Sequence, residues 1–152
     1  IDLDNFKTIN DSLGHYAGDE LLKRVASRVQ SCLRGVDLVG RLGGDEFGVV
    51  VFDASDHHKL ERLARGIIEA LSKPYEVDQH TLYIGASVGT AVGPRDGRSV
   101  EMLIRSADLA LYRSKDQGGG SIICTASVAA VCLKLCAEIL RPGWCFKSAP
   151  FK

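Results

Sequence analysis

The sequence has no excess of charge of either sign: Lys and Arg number 19, and so do Asp and Glu. Without a positive surplus no bulk field draws in nucleic acid or an anionic membrane surface, so any phosphate binding must come from locally placed groups. Long apolar runs are missing as well. The stretch 126–140, apolar on nearly every side, falls short of the roughly 20 residues that span a bilayer and reads as a buried helix. Proline is scarce, at 4 residues, and the 16 glycines follow no period, which excludes collagen-like repeats. There is no CxxC pair, no secretory leader and an odd count of 5 cysteines, a combination that predicts reduced thiols in a cytoplasmic setting. Cys132 and Cys136 stand at i, i+4 but have no His or second Cys pair at zinc spacing, so they read as core packing.

What remains is a balance of 25% charged and 45% apolar residues, expected of one soluble globular domain. The start, Ile1-Asp2-Leu3-Asp4, resembles the exit of a buried strand whose beginning is absent, and the chain is expected to be a fragment. Leu21, Leu22, Val25, Ala26, Val29 and Leu33 recur at helical spacing, which predicts a helix over 19–33 with Asp19 capping its first turn. Before it, residues 6–11 read as a short helical turn and 14–18 as a glycine-bearing loop. Leu38 to Leu42 and Phe47 to Phe52 read as two strands around the tight turn Gly43-Gly44-Asp45-Glu46. A second helix is expected from Ser55 to Leu71, strands at 75–77 and 81–92, and a third helix from Ser99 to the run Gly118-Gly119-Gly120. Hairpin strands with intervening helices predict an α+β fold with a mainly antiparallel central sheet flanked by helices.

Four groups of residues stand out chemically. They are Asp2-Leu3-Asp4 at a strand end, Asn10 with Asp19 around the loop, Gly44-Asp45-Glu46 at a hairpin tip, and Lys115 before the glycine run. Carboxylates from a strand end and a neighbouring hairpin tip can converge on a hard cation, and Mg²⁺ sites pair one or two carboxylates with substrate phosphates. Guanine offers two adjacent N–H donors beside an acceptor, which a carboxylate and an amide such as Asp19 and Asn10 match. Adenine would leave the carboxylate unpaired, a mismatch that discriminates strongly. Singly, each group has a plainer reading: a helix cap, a turn former, solvated hairpin charges. Together they point to one chemistry.

The run Ile1-Asp2-Leu3-Asp4-Asn5-Phe6-Lys7-Thr8-Ile9-Asn10-Asp11 through Gly18-Asp19, then Arg41-Leu42-Gly43-Gly44-Asp45-Glu46-Phe47, then Ala107-Asp108-Leu109-Ala110-Leu111-Tyr112-Arg113-Ser114-Lys115, closely resembles the GGDEF family of diguanylate cyclases over residues 1 to about 120. That resemblance implies a sheet similar to the nucleotide cyclase and polymerase palm, or ferredoxin-like, architecture. It implies condensation of two GTP into cyclic di-GMP and two pyrophosphates at a homodimer interface, one GTP per subunit, producing a bacterial second messenger. It assigns Mg²⁺, or Mn²⁺ in its place, to Asp2, the Leu3 carbonyl and Asp45. Glu46 would be a further ligand or the base at the ribose 3′-hydroxyl. Asn10 and Asp19 would hold guanine, and Lys7, Lys115 and the backbone N–H groups near Asn5 and Phe6 the phosphates. Gly43 and Gly44 would let the hairpin backbone approach the substrate. Arg34-Gly35-Val36-Asp37 resembles the RxxD motif at which such domains bind cyclic di-GMP as a feedback inhibitor; the plainer reading is an Arg–Asp ion pair. No nucleic acid partner is implied.

The chain departs from the family pattern at both ends. By the resemblance, a segment is expected before the first strand, and with it a sensory domain or membrane attachment that this fragment does not include. Gly119 stands where many relatives carry a phosphate-binding Arg. The domain is therefore expected over 1–124, with Ser121-Ile122-Ile123-Cys124 as its last strand and 125–152 an atypical apolar, Cys-rich tail, helical in part. A non-catalytic domain sensing GTP or cyclic di-GMP is the alternative, disfavoured because Gly44, Asp45 and Glu46 are all intact.

Overall fold

In a computed structural model of the chain, residues 1–53, 57–116 and 122–124 are described. The elements run β1 (Asp2–Asp4), α1 (Phe6–Leu13), α2 (His15–Ser31), β2 (Leu38–Gly43), β3 (Glu46–Val50), α3 (His57–Leu71), β4 (Tyr75–Val77), β5 (His80–Leu82), β6 (Gly85–Thr90), α4 (Val100–Asp116) and β7 (Ile122–Cys124). The main sheet has the order β2-β3-β1-β6-β7, antiparallel except where β7 joins β6 in parallel. The strands β4 and β5 form a separate hairpin. This is the expected α+β architecture with a mainly antiparallel sheet.

Strand alternation sends Leu3, Phe47, Ala86 and Val88 to one face, where they are buried. Helix α2 lays Leu21, Leu22, Val25 and Val29 onto that face, and α3 adds Ile67 and Leu71, closing one apolar core with Tyr75 and Val77 of the hairpin. Burying each large apolar side chain contributes on the order of 1.5–3 kcal/mol against leaving it in water. Arg28 ties the layer together. Its guanidinium lies 3.6 Å from the Tyr75 ring centroid and donates to the carbonyls of Ala70, Lys73 and Pro74, satisfying the C-terminal end of α3.

The other face carries α4, and Gly89 on β6 is why it sits so close. A Cβ at that position would collide with the Ala107 carbonyl oxygen and the Leu111 amide nitrogen of the helix backbone. An isolated glycine inside a strand commonly marks such an approach.

Four local expectations need correction. The segment 14–18 is no loop: His15 to Gly18 form the first turn of α2, with Gly14 at its N-cap. Asp19 consequently lies inside the helix and caps nothing, because the packing of α1 against α2 extends the helix beyond the apolar stripe. The run 81–92 divides into β5 and β6 instead of one strand, as the chain passes from the hairpin to the main sheet. Strand β3 ends at Val50, two residues early. The expectations for Ser55, Gly119 and the tail 125–152 lie outside the described residues.

Candidate functional site

The site begins with strand register. Asp2 is the direct cross-strand partner of Glu46 on β3 and of Ser87 on β6, so the three side chains form a row on the face opposite the apolar core. Asp4, two residues along β1, shares that face. Asp45 lies in the β2–β3 turn, and its carbonyl accepts from the Leu3 amide at 3.3 Å. Phe47 donates its amide to the Ile1 carbonyl at 2.8 Å, which locks the hairpin tip beside β1. The two acidic stretches are thus neighbours in one sheet: Asp2 lies on β1, Glu46 on the adjacent β3 and Asp45 in the turn before it.

The hairpin tip is shaped by Gly44, whose φ of 50° lies in the left-handed region that glycine adopts without strain. Arg41 donates from Nε to the Gly44 carbonyl at 2.8 Å and steadies the turn. A Cβ at Gly43 or Gly44 would meet nothing within 4 Å, so the space above the tip is open.

Lys115 approaches from the last turn of α4 and places Nζ 2.7 Å from Asp2 Oδ1. Asp2 is mostly buried and Lys115 reaches it from solvent. The position of this ammonium depends on α4, and hence on the Gly89 contact.

Helix α1 leaves β1 through Asn5, whose φ of 61° turns the chain sharply upward. No side chain caps this helix, so its first amides, including those of Phe6 and Lys7, have no side-chain acceptor and suit an anion. The Phe6 side chain is buried in the core and anchors the turn, while Lys7 is exposed. Asn10, on α1, lies against Gly18 of α2, where a Cβ would come within 2.9 Å of Asn10 Cγ and closer still to its Oδ1. Gly18 is the residue before Asp19. The amide predicted to read guanine thus lies at a close α1–α2 approach at Gly18, and the predicted carboxylate, Asp19, is the next residue of α2 and exposed.

At the far end of the sheet Arg34 and Asp37 form a closed clasp. Arg34 donates Nε and Nη2 to the two Asp37 oxygens at 3.0 and 2.9 Å, and also donates to the Phe52 carbonyl. Asp37 accepts the Arg34 and Phe52 amides, each at 3.1 Å. The Arg34 guanidinium holds the Asp37 carboxyl below its ordinary pKa, and Asp37 in turn raises that of Arg34. The ion pair is real, and the Arg34 side chain, 57% exposed, still presents a surface to solvent.

Among the described residues no three His, Cys, Asp or Glu side chains already form a ligand cage. A cation shared with substrate phosphates needs only one or two protein carboxylates, and the hard oxygen donors of Asp2, Asp45 and Glu46 fit that requirement. Gly18, Gly85, Ser87 and Gly89 were not legible as site residues in the sequence. The one available signal was three residues of β6, Gly85, Ser87 and Gly89, alternating on one face of a strand.

A palm-like sheet with carboxylates at a strand end and a glycine hairpin tip defines the class: a nucleotide-cyclase-like domain. Residues 1–121 match the profile of the family described as diguanylate cyclase, GGDEF domain, and the chain belongs to that family. It is 42% identical over 118 residues to the bifunctional diguanylate cyclase/cyclic di-GMP phosphodiesterase MucR of Pseudomonas aeruginosa, an alignment covering 78% of this chain and 17% of MucR. The chain thus spans about one sixth of that relative's length. The crystal structure of the GGDEF domain of TpbB (YfiN) from P. aeruginosa superimposes with a TM-score of 0.78 at 38% identity, covering 82% of this chain and 78% of that one. The GGDEF domain of DgcB from Caulobacter crescentus, in complex with c-di-GMP, superimposes with a TM-score of 0.72 at 27% identity, covering 81% and 73%. No helix among the described residues is long and apolar enough to cross a membrane.

Proposed function

We propose that residues 1–124 form a diguanylate cyclase domain that condenses two GTP into cyclic di-GMP and two pyrophosphates. The observation that carries this reading is the row of Asp2 and Glu46 as direct cross-strand partners, with Asp45 beside Leu3 and Lys115 2.7 Å from Asp2.

Phosphoryl-type transfer asks a protein mainly for positioning and charge neutralisation. Mg²⁺, or Mn²⁺ in its place, would be held by Asp2, the Leu3 carbonyl and Asp45 and would neutralise the phosphates. Lys115 and Lys7 bring positive charge to the β- and γ-phosphates, and the first amides of α1 add oriented donors. Asn10 and Asp19 orient guanine. Glu46 takes the proton from the ribose 3′-hydroxyl or joins the metal ligands. Each 3′-hydroxyl must attack the α-phosphate of the other GTP, so a domain binding one GTP works as a homodimer. Cyclic di-GMP bound at Arg34 and Asp37 would act as feedback inhibitor, with the exposed guanidinium stacking on or bonding to guanine.

Incubation of the purified chain with GTP and Mg²⁺, followed by chromatography for cyclic di-GMP, tests the reading. Product is expected, and it should vanish with EDTA and in Asp45→Ala or Glu46→Ala proteins that still fold. Full product formation by either variant would overturn the assignment of that residue.

A further inference from the structure

The two carboxylates of Asp2-Leu3-Asp4 share one face of β1, and the chemistry of a metal site gives no reason to prefer one over the other. Their surroundings do. Asp2 faces Lys115 and the partner Glu46. Asp4 is held by β6: Ser87 donates from Oγ to Asp4 Oδ1 at 3.0 Å, and Ser87 is wholly buried at 0% exposure. The second Asp4 oxygen rests over the cross-strand partner Gly85, where a Cβ would approach Oδ2 to 2.8 Å. One oxygen has a buried donor and the other a recess that only glycine leaves.

Immediately after Asp4 the chain turns through Asn5, left-handed at φ 61°, into α1. Thr8 donates to the Asn5 carbonyl at 3.0 Å, so the first turn of α1 is built directly on that residue. Whatever fixes Asp4 fixes the direction in which the amides of Asn5 and Phe6, Lys7 and Asn10 leave the sheet.

We infer that Ser87, Asp4 and Gly85 form a latch that positions the start of α1 for nucleotide binding, and that Asp4 is a positioning residue and no metal ligand. The inference rests on the nucleotide reading above for its consequence, and on the latch geometry for its cause. A latch needs an acceptor of the right shape at position 4. It tolerates a neutral acceptor there, whereas a carboxylate that offsets a cation's charge loses that role when it becomes an amide.

The test compares Asp2→Asn, Asp4→Asn, Asp4→Ala, Ser87→Ala and Ser87→Thr in the full chain. GTP affinity is measured calorimetrically with Mg²⁺ present, kcat and KM are determined, and amide hydrogen exchange is followed at residues 5–8. Asp4→Asn keeps an acceptor for Ser87 and is expected to change GTP affinity less than threefold. Asp4→Ala and Ser87→Ala should weaken it about tenfold, raise KM more than they lower kcat, and speed exchange at 5–8 about tenfold while β3 amides keep their rates. Ser87→Thr should restore both. If Asp4→Asn is as damaging as Asp2→Asn, or if Ser87→Ala leaves exchange at 5–8 unchanged, the latch is refuted. A wild-type chain that fails to bind GTP would instead refute the cyclase reading. The exchange comparison would then still decide the latch.

Discussion

Lys115 Nζ stands 2.7 Å from Asp2 Oδ1, joining the last turn of α4 to the first strand of the sheet. Lys115 is partly exposed but Asp2 is buried, so the carboxylate depends on this ammonium to offset its desolvation. Its importance lies in placement: the same ammonium that neutralises Asp2 is within reach of phosphates brought to that carboxylate. Lys115→Met is expected to raise the KM for GTP about tenfold and to destabilise the fold by about 1–3 kcal/mol, since it leaves the buried Asp2 carboxylate without its cation. Steady-state kinetics with a melting curve check this.

Gly89 decides whether that lysine arrives at all. Gly89→Ala forces the backbone of α4 away from β6 at Ala107 and Leu111, a displacement no side-chain rotation can absorb. Overpacking of this kind costs about 1–3 kcal/mol, and activity should fall further than with Lys115→Met because the helix carrying the lysine moves. Denaturant unfolding and turnover, measured together, give the comparison.

Gly18 and Gly66 form a matched pair for a second test. Both are helical, but a Cβ at Gly18 strikes Asn10 whereas one at Gly66 meets nothing within 4 Å. Gly66→Ala should stabilise the protein by about 0.5–1 kcal/mol through helix propensity and leave GTP binding alone. Gly18→Ala should destabilise it and weaken GTP binding about tenfold, because Asn10 must leave its place against Gly18. Nucleotide titration and unfolding of both variants separate the two effects.

The Arg34–Asp37 clasp predicts a pH dependence of defined sign. Asp37 has its folded pKa lowered from 3.8, chiefly by the Arg34 hydrogen bond, so its stabilisation is present above pH 4 and lost as pH falls through the folded value. Asp37→Asn should therefore be less stable than wild type at pH 7, with the gap closing towards pH 2. Unfolding curves across that range provide the measurement. Arg34→Ala should also raise the cyclic di-GMP concentration needed for half inhibition of turnover.

Tyr75 is buried and its hydroxyl has no hydrogen-bond partner among the described residues. Burial raises its pKa from 10, so ionisation opposes folding and stability should fall as pH climbs beyond that value. Tyr75→Phe removes the unsatisfied group and keeps the ring under Arg28; a gain of about 1 kcal/mol and a flatter alkaline limb are expected in chemical unfolding.

Much of this was legible in the primary structure. Apolar periodicity located α2, α3 and α4 to within a few residues, and Gly43-Gly44 between two apolar runs announced the hairpin. The carboxylates, Asn10, Asp19 and Lys115 could be singled out as candidates by residue type, because a hard cation and guanine each demand a narrow set of donors. Local pattern misled where helix packing overrode it: residues 14–18 look like a loop by their glycines, yet 15–18 are helical because α1 closes onto them across Gly18.

What the amino-acid order determined alone was the set of elements and the kind of chemistry they carry, since both follow from short-range periodicity and side-chain type. Only the folded sheet decided which groups meet. Asp2 is 44 positions from Glu46 and 113 from Lys115 along the chain, and no local rule relates them; antiparallel register and the missing Cβ at Gly89 do. The same holds for Asp4 and Ser87. Two carboxylates that look equivalent in the sequence acquire different partners because neighbouring strands present a lysine to one and a buried hydroxyl to the other.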